Sequence, residues 1–462
     1  DTMVRKLRKS RRSFLKGIGV VSAAGLAFPH IWIPGTAKAT AGRGSAKHLI
    51  YIRLSGGFRF PTAFNGDVGA EFNPWGPTSA AASGTQWGVS ALLERDGWRI
   101  DDVAATGVQR TVDITNDITV LPCIDHEPLS GSADGNHQTG LERYLTGFVN
   151  GPTGLFTMIN YGLRDKVAAA AEQGEILLPA ICMGNATIGR GSGKYAAYRP
   201  PVMQGSDIDR FSFSVDDVLP PWARALADSY DSRHRDRQNL AHYPTVDAYI
   251  QSRAATKAYS DIFQSEPLKI DNNSDELFDG ISNRELEILF GDNGTARNIR
   301  LGLRLFHYGC PAIYLDQGGY DYHSDEQENL PPRFDEVNRI LSGLHFALKK
   351  MQHPSGEGSY WDHTMVVFGS EFSRTTRGGL FNSAQGSDHG GDYATRWMSM
   401  PFMGGPFAAV AGQQICATNP NDLASDGLVF SYRSMFKTLM DALDCDHEEF
   451  FPADEAFDHL FV

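Results

Sequence analysis

Residues 318–328 read GGYDYHSDEQE and follow the apolar run PAIYLD, so Asp316, Asp321, His323, Asp325 and Glu326 crowd the end of one buried segment. Carboxylates packed that closely repel one another unless water or a cation sits between them. Two further knots carry the same residue types. In GSEFSR, Glu371 stands just past an apolar run with Arg374 nearby; in GSDHGGD, Asp388 and His389 lie between glycines that let backbone and ligand approach closely. Carboxylate oxygen and imidazole nitrogen without thiolate form the donor set of a divalent metal ion such as zinc, manganese, iron, magnesium or calcium, not of copper(I) or a cluster. Any one knot also reads as a capped turn. Three of them in one chain make Asp321, His323, Glu371, Asp388 and His389 candidate metal ligands.

Such groups need a frame that brings them together. HLIYIRLS (48–55), DITVLPCI (117–124), EILLPAICMG (175–184), PAIYLD (311–316) and TMVVFGSEF (364–372) are short apolar runs that read as buried strands. Between them lie helical patterns. PPRFDEVNRILSGLHFALKKM (331–351) has Pro332 suited to a first turn and an apolar face along Phe334, Val337, Leu341, Leu344 and Leu348. SNRELEILF opens with a capping box, Ser282 with Glu285, and begins a helix running on towards Tyr308. YRSMFKTLMDAL (432–443) is a last amphipathic helix. Buried strands alternating with helices predict a three-layer α/β sandwich with a largely parallel central sheet, whose ligands gather at the carboxyl ends of the strands. The polar knots all fall at such ends. Residues 185–280, richer in Gly, Pro and polar helix, read as an insertion or cap. Within it, GNATIGRGSGKYA imitates a phosphate loop, but Ile188 stands where that loop needs Gly and Tyr195 replaces its magnesium-binding Ser or Thr, so a surface turn is expected.

The chain has 462 residues, 41% of them hydrophobic, which is ample for one large core. Its net charge of −13 hides an asymmetry, because eight of the Lys and Arg fall in residues 1–39 and leave an acidic body. A body of that sign is a poor nucleic-acid partner, since phosphate contacts need basic patches. Five scattered cysteines with no CxxC pair argue against a disulfide framework or a zinc–cysteine site and leave room for one isolated disulfide. At the front, Ser10-Arg11-Arg12-Ser13-Phe14-Leu15-Lys16 precedes a modest apolar stretch and small residues near 37–41. This resembles a bacterial twin-arginine export signal. The resemblance implies that residues 1–41 are signal and linker, that the twin-arginine export machinery is a partner in transit, and that residues 42–462 form one domain working in the periplasm or outside the cell.

GGYDYH, SEFSRT and SDHGG, in that order, resemble the GGWDTH, SEFGRT and TDHG motifs of a bacterial family catalogued as domain of unknown function 1501, itself similar to the alkaline phosphatase and sulfatase superfamily. The likeness implies an alkaline-phosphatase-like fold with a metal site at the carboxyl end of the sheet. By motif, Asp321 and His323 resemble its Asp/His pair, His389 the histidine completing that metal, and Glu371 a carboxylate ligand on the next strand. Asp388 is either a ligand or a partner fixing the His389 tautomer. HQTGLERYLTG (137–147) is similar to the sulfatase signature that starts at the nucleophile, with His137 in the nucleophile's place and Thr139 two residues on. His137 there can ligate metal, act as a base or form a phosphohistidine, or it can simply cap a helix. The metal-binding Asp usual after the first strand is replaced by Phe58 and Arg59. Two functions follow from the likeness. One is an exported metal-dependent hydrolase of a small phosphate or sulfate ester, with His137, Thr139 and Arg374 as catalytic residues. The alternative is a catalytically lapsed protein of the same fold that serves as a periplasmic binding or assembly partner.

Overall fold

The computed structural model describes residues 42–65, 87–94, 107–125, 136–173, 175–184, 189–206, 221–236, 261–323, 326–374, 382–383, 386–387, 397–418, 425–426 and 428–461. The leader at 1–41 and the candidate ligands Asp388 and His389 lie outside the described residues.

An eight-stranded sheet forms the centre of the chain. Its strands are β1 (His48–Leu54), β2 (Ile118–Asp125), β3 (Ile181–Met183), β4 (Val202–Met203), β5 (Ala312–Gln317), β6 (Thr364–Gly369), β7 (Trp397–Met403) and β8 (Phe430–Ser431). Their spatial order is β8-β2-β7-β6-β1-β5-β3-β4. Pairing is parallel throughout except along β7, which runs antiparallel to both β6 and β2. The reason for this arrangement is visible in the sequence of β1. HLIYIRL has no polar alternation, and all of its residues are buried, as are those of β6. Strands of that kind are stable only where both faces are covered, which parallel sheets achieve with flanking helices. Register sets the rim: Arg53 lies opposite Asp316 of β5 on one side and Gly369 of β6 on the other. The carboxyl ends of β1, β5 and β6 therefore meet at one place.

The described helices of eight or more residues include α1 (His137–Thr146), α2 (Leu155–Gly162), α3 (Pro221–Asp236), α4 (Asn283–Phe290), α5 (Gly294–Phe306), α6 (Glu326–Lys350) and α7 (Tyr432–Ala442). α7 packs on α1 and α2, while α4 packs on α5 and α6. The fold is thus mixed α/β with a largely parallel central sheet.

Two helices differ from the sequence reading. The helix expected to run from Ser282 towards Tyr308 is broken in two. The Ser282–Glu285 capping box opens α4 as expected. Gly291 at φ 90° then ends it, and the Asn293 side chain starts α5 by accepting from the backbone N–H of Ala296. The second difference is that α6 begins at Glu326, so Pro331 and Pro332 lie past the first turn, where each removes one backbone donor. Of the span 185–280 set apart in the sequence, Val202–Met203 is the edge strand β4, and α3 exposes Trp222, Leu226 and Tyr230. Among the described residues, no helix is long and apolar enough to cross a membrane.

Candidate active site

The site is built where Ser55-Gly56-Gly57 follows β1, Gly318 to His323 follows β5, and Ser370 to Arg374 follows β6. Two glycines permit this crowding. Gly56 sits at φ +115°, and a Cβ there would stand 2.3 Å from the backbone nitrogen of Asp321. Gly140 on α1 would place a Cβ 2.4 Å from the carbonyl oxygen of Glu371. Backbone cannot yield to such contacts, so any side chain at either position would push the loop or the helix off the rim.

α1 carries His137 as its first residue, but another residue caps it. The Asn136 side chain accepts from the backbone N–H groups of Gln138 at 3.0 Å and Thr139 at 3.1 Å. The imidazole of His137 is consequently available to the rim. Its Nδ1 lies 3.0 Å from Glu371 Oε1, and its Nε2 lies 3.3 Å from Asp321 Oδ1. His323 Nε2 stands 3.1 Å from that same Asp321 oxygen. Donor atoms of His137, Asp321 and His323 fall within 4.8 Å of one another, the spacing of a metal-binding group. Two imidazoles and a carboxylate fit a divalent cation. With metal–ligand bonds of about 2.0–2.1 Å, tetrahedral ligands stand about 3.3 Å apart. Asp321 and His323 are 52% and 57% exposed, which leaves coordination positions open towards solvent, as a catalytic metal requires.

Glu371 has a different setting. Its side chain is 1% exposed. Oε1 accepts from the N–H of Gly56 at 2.8 Å and from Arg53 Nη2 at 3.3 Å; Oε2 accepts from Arg53 Nε at 3.1 Å and from Ser370 Oγ at 2.9 Å. Burial pushes its pKa up, but the His137 ring and the Arg53 guanidinium outweigh that and hold it at about 2. An ionised carboxylate beside Nδ1 fixes the proton of His137 there and turns the lone pair of Nε2 towards Asp321 and His323. Glu371 thus orients a candidate ligand from behind. Asp321 is treated similarly: burial raises its pKa, while the hydrogen bond from Arg374 and the charges of His137, Arg374 and His323 bring it below the usual carboxylate value.

The arginines divide by commitment. Arg374 is 0% exposed; it donates from Nε at 3.1 Å and Nη2 at 2.6 Å to the carbonyl of Gly56, and also bonds the Tyr322 carbonyl and the Asp321 carboxylate. It ties the β1 and β5 loops together. Arg53, a lone charge in an apolar strand, spans Glu371 and Asp316, the latter at 3.1 Å from Nη1. The sequence reading passed over Arg53, although a charged residue within a buried run demands a buried partner of opposite sign. Thr139 Oγ1 donates to the Asn136 carbonyl at 3.3 Å.

Between the rim and α1 lies a cavity of about 490 Å³ whose lining includes Arg53, His137, Leu141, Glu142, Arg190 and Asp321. Thr139 is not part of that lining. Arg190 is: it comes from the glycine-rich segment expected as a bare surface turn. Of the candidate residues, then, the structure gathers His137, Asp321, His323 and Glu371 at one point, with Arg374 beneath them and Thr139 to one side.

No curated protein matches the chain in sequence. The fold aligns with the soluble domain of lipooligosaccharide phosphoethanolamine transferase A from Neisseria meningitidis over 88% of this chain and 90% of that one, at 9% identity and a TM-score of 0.30. A likeness that distant assigns neither fold nor activity. Residues 172–458, well over half of the chain and including Asp321, His323 and Glu371, match the family described as protein of unknown function (DUF1501), and the protein belongs to that family.

Proposed function

We propose that the protein is a metal-dependent hydrolase of small phosphate or sulfate esters, with a divalent cation held by His137, Asp321 and His323. The observation that carries this reading is the His137 imidazole: Nδ1 is bound by ionised Glu371, and Nε2 faces Asp321 Oδ1 at 3.3 Å. A lone pair aimed at an ionised carboxylate is repulsive until a positive ion stands between them. When bound, the cation would polarise the ester oxygen and lower the pKa of a coordinated water. The chain's own residues do the rest. Glu371 and Arg53 hold the His137 tautomer, Arg374 holds the Asp321 carboxylate, and the cavity beneath α1 receives the ester. With Thr139 turned to the Asn136 carbonyl and outside the cavity lining, the attacking group in this reading is water and not a side-chain hydroxyl. Asp388 and His389 remain proposed further ligands. We also propose that residues 1–41 direct export of the folded chain through the twin-arginine machinery, to be tested by loss of periplasmic protein in Arg11→Lys/Arg12→Lys.

One observation favours the alternative of a lapsed enzyme that binds a periplasmic protein partner. Arg374 on Asp321 and Arg53 on Glu371 already balance both carboxylates without a metal. Metal analysis and a panel of phosphate, sulfate and phosphonate esters separate the two. Stoichiometric metal with turnover, both lost in His323→Ala, supports the hydrolase; a metal-free chain inert on every ester supports the alternative.

A further inference from the structure

The arginines around the cavity are unequal, and the difference points to the substrate. Arg53 and Arg374 direct all three of their nitrogens to carboxylates or carbonyls of the protein. Arg190 does not. Among the described residues its guanidinium makes one hydrogen bond, from Nη2 to Glu142 Oε1 at 2.7 Å, and 39% of its side chain is exposed. Glu142 is itself a fixed post, 7% exposed, with Oε2 accepting from the N–H of Asn150 at 2.7 Å. The backbone of Arg190 is pinned too, since its carbonyl accepts from the N–H of Gly154 at 2.9 Å. An arginine held at one corner by a buried carboxylate, with its remaining N–H groups turned outward on a cavity wall, is preorganised for a ligand carboxylate or phosphate.

Its partner Glu142 sets it further along α1 than His137. His137 starts the helix, and Glu142 lies five residues on, about 7.5 Å along the axis at 1.5 Å per residue. Leu141 and Leu145, at the spacing of successive turns from His137, line the same cavity and give the space between the two ends an apolar wall. We infer that Arg190 is a specificity-determining residue that reads a second anionic group on the substrate, across an apolar spacer from the reacting ester. The inference rests on the hydrolase reading for what happens at His137, but the Arg190 subsite is argued from its own contacts.

Calorimetric binding of two phosphonates to the purified chain tests it. Hexylphosphonate offers one anion and an apolar tail; 6-phosphonohexanoate adds a carboxylate at the far end. Wild type is expected to bind 6-phosphonohexanoate about tenfold or more tightly, the usual worth of a charged hydrogen bond. Arg190→Gln should lose that preference while keeping its affinity for hexylphosphonate, and Arg190→Lys should retain part of it. Equal affinity of wild type for both probes, or a preference that survives Arg190→Gln, would overturn the assignment. Preference without turnover of any ester would sink the hydrolase reading and leave the subsite standing; turnover without preference would do the reverse.

Discussion

The arrangement depends on Glu371 being an ionised strut, and replacing it by Gln removes the charge at almost constant shape. In the wild type its oxygens receive Gly56 N–H at 2.8 Å, Arg53 at 3.1 and 3.3 Å, Ser370 Oγ at 2.9 Å and His137 Nδ1 at 3.0 Å. A Gln amide turns one of those acceptors into a donor and leaves the buried Arg53 charge with Asp316 alone. Breaking a buried pair from one side costs about 3–5 kcal/mol, and the surviving Asp316 contact puts this case at the lower end. Linkage gives the same scale. A carboxyl whose pKa falls from 4.5 in the unfolded chain to about 2 in the fold contributes about 3 kcal/mol at neutral pH. Because the folded value is the depressed one, that contribution is complete above pH 4.5 and is lost as pH falls through about 2. Guanidinium unfolding of wild type, Glu371→Gln, Arg53→Met and the double variant measures it. The expected loss is about 3 kcal/mol for Glu371→Gln at pH 7 with an unchanged m-value, shrinking as wild type is taken from pH 4.5 towards 2. The double variant should lose less than the two singles together by about 2 kcal/mol. Losses below about 1 kcal/mol that simply add would refute the strut and with it the reason given for the orientation of His137.

Four further outcomes follow. His323→Ala should abolish retained metal in elemental analysis, yet with metal stripped from both chains its unfolding midpoint should match that of wild type, because His323 is 57% exposed. Gly140→Ala should cost about 1–3 kcal/mol and weaken metal retention, since its Cβ would stand 2.4 Å from the Glu371 carbonyl and lift α1 from the rim. Asn136→Ala should cost about 1 kcal/mol through the lost cap and disorder the His137 ring signals in NMR. Asp117, bonded by His345 at 2.7 Å and Lys349 at 2.6 Å, is held at about 2 by the His345 bond, with burial opposing and Lys349 adding. Its contribution is complete above its ordinary 3.8 and fades as pH falls through about 2, so the gap between wild type and Asp117→Asn should close over that range. At 36% exposure, solvent screening keeps that gap below about 1 kcal/mol.

Much of the frame was legible because parallel strands announce themselves as unbroken apolar runs. β1, β2, β5 and β6 fall within a residue or a few of their expected ends, and α7 within one. β7 went unseen: WMSMPFM has no period-two alternation and contains Pro401, which marks a strand only in context. The expected long helix after Ser282 failed at Gly291 and Asn293, where a stop and a new cap lie adjacent and the apolar period carries across both. At the site, the acids and imidazoles were readable as residue types at strand ends. Their division of labour was not. Whether Glu371 meets a metal or braces His137 depends on Arg53, which lies 318 residues away in the chain and inside a strand that otherwise reads as pure core. Arg190 was hidden for the opposite reason, since glycine-rich sequence says that a segment turns and nothing about what it turns towards.

The most direct test of the central claim is anomalous scattering from crystals of the chain grown with zinc. The account predicts a single strong peak about 2.0–2.1 Å from His137 Nε2, His323 Nε2 and an Asp321 oxygen, with Glu371 still on His137 Nδ1. A rim without such a peak, in which His137 lies between Asp321 and Glu371 as a doubly hydrogen-bonded imidazolium, would contradict it.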